Sequence, residues 1–158
     1  LTGEIGIQEI ELLNAYQVLM PNVRKELNDY LRYLLCKQYK RDAMIAVFHN
    51  KLLHNMMHSL LHLVEREEID REQVDRRIMQ IKELYYGLFE QVHTKYCQYV
   101  DELDSNEVVT GFARHSFANL ERALQAANLD MLRYEIVNFY QEFHKLSQRK
   151  DARNIVAV

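Results

Sequence analysis

From Gln8 to Leu146, apolar residues recur at three- and four-residue intervals, the period of helices that each bury one face. The first such stretch predicts a helix from about Gln8 to Met20, with Ile10, Leu13, Gln17 and Met20 near one side. Pro21 suits the first turn of a second helix, where its missing N–H is not needed. That helix carries Val23, Leu27, Tyr30, Leu31 and Leu34 inward and reaches roughly Tyr39. Asp42 is placed to cap a third helix that ends near Glu68, and Asp70 with Gln73 resembles a capping box for a fourth.

The fourth stretch has the most regular period: Val74, Ile78, Ile81, Tyr85, Leu88, Val92, Tyr96, Tyr99 and Leu103. Uninterrupted from Asp70 to Asp104 it would be about 50 Å long, which predicts either a bend at Gly87 or an end packed on another chain. Ser105 or Asn106 starts a fifth helix, with Ala113, Phe117, Leu120, Leu124 and Ala127 on its apolar side. The short link Asn128-Leu129-Asp130 gives a tight turn with a cap for a sixth, which shows Leu132, Ile136, Phe139, Phe143 and Leu146. One proline and four glycines leave few breaks. The pattern predicts an all-α protein: an antiparallel bundle of about six helices with a long helix 3/helix 4 hairpin. Residues 1–148 form a single helical domain in this reading, and 149–158 a flexible tail whose Ile155, Val156 and Val158 could dock.

Composition narrows the classes. With 48% hydrophobic and 27% charged residues the chain is globular, and a formal charge of -3 without a basic face argues against a standalone nucleic-acid binder. No apolar stretch is long enough for a bilayer and no signal segment opens the chain, so no membrane partner is expected. Leu1 is not an initiator methionine, which predicts a processed chain or part of a longer one. Cys36 and Cys97 are far apart with no CxxC spacing and read as reduced core thiols of a cytoplasmic protein.

The segment Glu11-Leu12-Leu13-Asn14-Ala15-Tyr16-Gln17-Val18-Leu19, then Pro21, then Lys25-Glu26-Leu27-Asn28-Asp29-Tyr30-Leu31-Arg32-Tyr33-Leu34-Leu35 resembles the linker and helix that follow the helix-turn-helix domain of small Gram-positive transcriptional repressors. The resemblance covers residues 8–36, and Met20 stands where the usual serine precedes the proline. It implies an oligomerisation segment, with the DNA-reading domain lying before this chain.

Chemistry is concentrated in one ladder. His54, His58 and His62 fall at intervals of four on one side of the third helix. On a helical wheel they share a narrow polar strip with Lys51, Asn55 and Glu65, whereas His49 falls among the apolar residues. The bland reading is a hydrated polar strip. In the metal reading, adjacent rungs and Glu65 hold a transition metal, with further ligands from Glu90 and His93 of the fourth helix. That Glu-x-x-His spacing occurs once, where dimetal bundles use two. In a phosphotransfer reading, His54 is an exposed histidine on a long hairpin, but Asn55 stands where an acidic neighbour is usual. No nucleophile elbow surrounds Ser59, Ser116 or Ser147, and no phosphate loop surrounds Gly111.

The reading that follows is a non-catalytic oligomerisation and signal-receiving domain of a bacterial transcriptional regulator, without a cofactor. The alternative is a metal-binding or histidine phosphotransfer bundle built on the ladder. Expected partners are a second copy, through Leu27, Tyr30, Leu31 and Leu34 and then Tyr96 and Tyr99, and another regulatory protein. DNA is reached only through a domain outside this chain.

Overall fold

A computed structural model describes residues 6–101, 103 and 106–149. The described residues form six helices and no strand: α1 (Ile7–Val18), α2 (Pro21–Phe48), α3 (Lys51–Glu65), α4 (Arg71–Cys97), α5 (Glu107–Gln125) and α6 (Leu129–Ser147). None of them is long and apolar enough to cross a membrane. The expected tail beyond Arg149 lies outside the described residues.

Several helix ends follow from local chemistry. Pro21 opens α2. The Asp70 carboxylate accepts from the N–H groups of Glu72 (3.1 Å) and Gln73 (3.3 Å), and the Asn128 amide oxygen from that of Met131 (3.1 Å). The largest departure from the sequence reading is at Asp42. It does not cap a helix, because α2 runs through it to Phe48. Its carboxylate is taken instead by the Tyr96 hydroxyl, and α3 is capped by Asn50, whose side-chain oxygen accepts from the Leu53 N–H at 2.9 Å. His49 therefore sits in the turn between α2 and α3 and is exposed, not buried. With 27 residues, α4 is about 40 Å long and passes through Gly87 without interruption.

The described residues group into two compact units that divide inside α2, between Leu35 and Cys36. In the first unit Arg24 holds the helix pair. Its Nε donates to the Tyr16 carbonyl (3.1 Å), its Nη2 to that of Gln17 (2.6 Å), and its guanidinium lies over the Tyr16 ring. A cation thereby meets two of the last carbonyls of α1, of which that of Tyr16 also accepts from the Leu19 N–H at 3.2 Å. No described residue of this unit is buried, so Val23, Leu27, Tyr30, Leu31 and Leu34 do not face inward as the period predicts; all are exposed.

In the second unit, α3 packs on α4 and α6, and α5 packs on the same two helices. Phe48, at the end of α2, enters their centre and meets Tyr85, Phe112 and Phe143 at ring separations of 6.2, 5.8 and 5.2 Å. Phe117 and Phe139 continue the cluster at 5.4 Å. The Tyr85 hydroxyl donates to the Val109 carbonyl at 2.6 Å, so the one hydroxyl in this cluster is satisfied where water does not reach. Two non-glycine residues, Asn106 (φ 49°) and Ala127 (φ 57°), occupy the left-handed region at either end of α5. Ala127 is exposed there and not on the apolar face of α5.

Candidate functional site

The ladder lies beside α6, and its rungs have different surroundings. His54 is half-buried and sets its ring against Phe143 at 4.9 Å. Its Nε2 lies 2.8 Å from the Phe48 carbonyl, which can only accept, so Nε2 carries the proton and closes the last turn of α2. His58 is exposed, its ring 5.0 Å from that of Tyr140, with Nε2 3.3 Å from the tyrosine hydroxyl. His62 meets Glu65 at 3.1 Å, with both side chains about two-thirds exposed or more (74% and 67%), so that pair contributes little to stability.

The tertiary structure adds two histidines that the ladder pattern does not contain. His49 from the α2–α3 turn and His144 from α6 join His54, His58 and Tyr140 around an open cleft of about 400 Å³. The His144 ring stacks on Tyr140 at 6.1 Å with an interplanar angle of 16°. Position 144 is one turn beyond Tyr140 on α6, so the signal lies in the sequence but becomes visible only once α3 and α6 are known to pack. Ser147 also lines the cleft, and its hydroxyl donates to the His144 carbonyl at 2.6 Å.

The six residues of the metal reading are not brought together. Glu90 is exposed, and His93 is half-buried with its ring edge-on to Tyr39 at 6.0 Å and near Phe89 at 6.1 Å. Among the described residues no group of three His, Cys, Asp or Glu side chains is disposed to hold a metal ion. The reason is geometric: the three rungs of a straight helix spread along its axis, and the α4 pair that should complete the set is turned elsewhere, with His93 packed against Tyr39 and Phe89.

The expected interface residues also separate. Tyr99 is 67% exposed, and Leu27, Tyr30, Leu31 and Leu34 are 36%, 58%, 52% and 41% exposed. Tyr96 is only 2% exposed and so offers no interface surface. Its hydroxyl donates to Asp42 and accepts from Gln38 Nε2 at 2.9 Å. Burial, reinforced by the Asp42 carboxylate and opposed by Gln38, pushes its pKa up to about 12. The cysteines depart from the core reading as well, Cys36 being half-buried and Cys97 exposed. No protein-family model, curated protein or solved structure matches this chain.

Proposed function

We propose that this chain is a non-catalytic self-association and signal-receiving domain, the regulatory part of a bacterial transcriptional regulator. Its first partner is a second copy of itself. DNA enters only through a domain outside this chain, a further regulatory protein is the other expected partner, and no cofactor is needed. In its second unit, the short links support reading the packed helix pairs as antiparallel, with α3 and α4 as a hairpin.

The observation that carries the reading is the exposed apolar seam of the first unit. Val23, Leu27, Tyr30 and Leu34 are spaced four, three and four along α2, the alternation that lets two helices interlock, and Leu31 lies beside them. Tyr30 and Tyr33 stack at 6.2 Å on the same exposed stretch. Full burial of a large apolar side chain stabilises by roughly 1.5–3 kcal/mol, and none of these six side chains gains it within its own unit. A second copy presents the same seam, and a two-fold arrangement pairs each residue with its own equivalents.

Sedimentation equilibrium tests this. The native chain is expected to be dimeric or larger at micromolar concentration, and a Leu27→Lys/Leu34→Lys variant monomeric with unchanged helicity. Monomer alone at high micromolar concentration of the native chain would refute the reading.

A further inference from the structure

A second cleft, of about 290 Å³, lies between the later turns of α2 and the start of α5. Lys37, Lys40, Arg41 and Met44 line it from α2, and Asn106 and Val108 from the other side. The α2 residues are spaced three, four and seven from Lys37, which puts three cations and a methionine on one helical face. Met44 is 3% exposed and, with Val108, makes an apolar floor beneath the charges. Lys37 and Arg41 take part in none of the ion pairs among the described residues.

Asn106 supplies an independent observation. It is 4% exposed, and its side-chain NH2 has no hydrogen-bond partner. A buried amide group left so costs free energy unless something meets it. Its backbone is left-handed, and its side chain makes no cap hydrogen bond to α5, a helix of 19 residues. That side chain therefore does not cap the Glu107 and Val108 N–H groups, while the Val109 N–H donates to the Asn106 carbonyl at 3.0 Å, and the start of α5 borders the cleft through Asn106 and Val108. Asp42, the acid on the adjoining turn of α2, is engaged by Tyr96. Among the described residues, Glu107, exposed in the first turn of α5, is an acid that competes for this helix end.

We propose that this cleft binds a small organic anion, with a carboxylate or phosphate head met by Lys37, Arg41, the Asn106 amide and the start of α5, and an apolar body against Met44 and Val108. Cations and uncapped N–H groups select the charge, and the floor selects against a bare inorganic ion. The inference deepens the signal-receiving part of the proposed function and rests on it for its meaning. Its failure is distinguishable from failure of that reading, because ligand binding and self-association are measured separately.

Titration calorimetry on the full chain, with amide chemical shifts of Asn106 and Val108 as a second readout, tests it. Benzoate and phenyl phosphate are the probes, benzyl alcohol the neutral match and inorganic phosphate the head without a body. At least one organic anion is expected to bind at micromolar to millimolar concentration, move those two amides and weaken as salt rises. The tighter of the two identifies the head group. A Lys37→Ala/Arg41→Ala variant is expected to weaken binding about tenfold or more, the loss of charge-assisted hydrogen bonds. Asn106→Gly suits the left-handed backbone, so it removes the amide without straining the turn; binding should weaken roughly three- to tenfold. Lys82→Ala, at a lysine paired with Glu121, should leave binding unchanged. The proposal is overturned by no binding of either anion at millimolar concentration, by benzyl alcohol or inorganic phosphate binding as tightly as the organic anions, or by unchanged affinity in the Lys37/Arg41 and Asn106 variants.

Discussion

Replacing Tyr85 with phenylalanine removes a single oxygen from the centre of the core, and the structure limits what that removal costs. The side chain is 0% exposed, and its ring lies 5.8 Å from Phe117, 6.0 Å from Phe112 and 6.2 Å from Phe48. Phenylalanine keeps that ring, so no cavity of consequence opens and the aromatic contacts stay. The hydroxyl's bond to the Val109 carbonyl is lost. That carbonyl lies in the first turn of α5, where it also accepts within the helix from the N–H four residues on, so it is not left bare. The loss is then the net value of one neutral hydrogen bond, about 1 kcal/mol, and not the larger penalty of an orphaned acceptor. Tyr85→Ala, which also empties the ring's volume, should cost roughly 3–5 kcal/mol. Urea unfolding followed by far-ultraviolet circular dichroism reads both, and the phenylalanine variant should melt about 2–4 °C below the native chain. A phenylalanine variant as stable as the native protein would show that the hydroxyl bond contributes nothing. A loss above about 3 kcal/mol would show that the ring has moved or the carbonyl is stranded.

Two further tests address the hydroxyl on α4 and the turn between α5 and α6. Because the folded chain holds the Tyr96 proton more tightly than the unfolded chain, that stabilisation is complete below the ordinary tyrosine value of 10 and is lost as pH rises through about 12. Tyr96→Phe should therefore flatten the alkaline fall in stability between pH 10 and 12, measured by urea midpoints; an unchanged alkaline limb would contradict the buried hydroxyl. Ala127→Gly should stabilise by about 0.5–1 kcal/mol, because glycine occupies φ 57° without the Cβ clash, and a lower melting temperature would count against the left-handed turn.

Much of the helical order is legible along the chain because it depends on neighbours a few residues apart. The 3.6-residue period, Pro21 at the head of α2, the Asp70 cap and the Asn128 cap all act within one turn, and each stands in the structure. Asp42 shows where local reasoning stops. Its type suits a cap, but its carboxylate is claimed by a tyrosine 54 positions away, and α2 continues with no breaker to stop it. Asn50 takes over the capping, and His49 moves from an apolar helical face to an exposed turn as a result.

Which apolar faces are covered is likewise a tertiary matter. Leu27 and Leu34 have the period of buried residues and stand exposed, while Tyr96, on a face of the same kind, is sealed by Gln38 and Asp42. Periodicity states that a face is apolar; only packing states what covers it. Both clefts belong to that second category. The ladder of His54, His58 and His62 is visible as a spacing, but His144 and Tyr140 join it only because α6 packs on α3. Lys37, Lys40 and Arg41 read as an ordinary charged turn until Asn106, more than sixty residues later, is set across from them with its amide unpaired. A sequence specifies the residue types on each helical face through local geometry, whereas a site is made where faces distant along the chain meet, and that meeting is decided by the burial of the whole core.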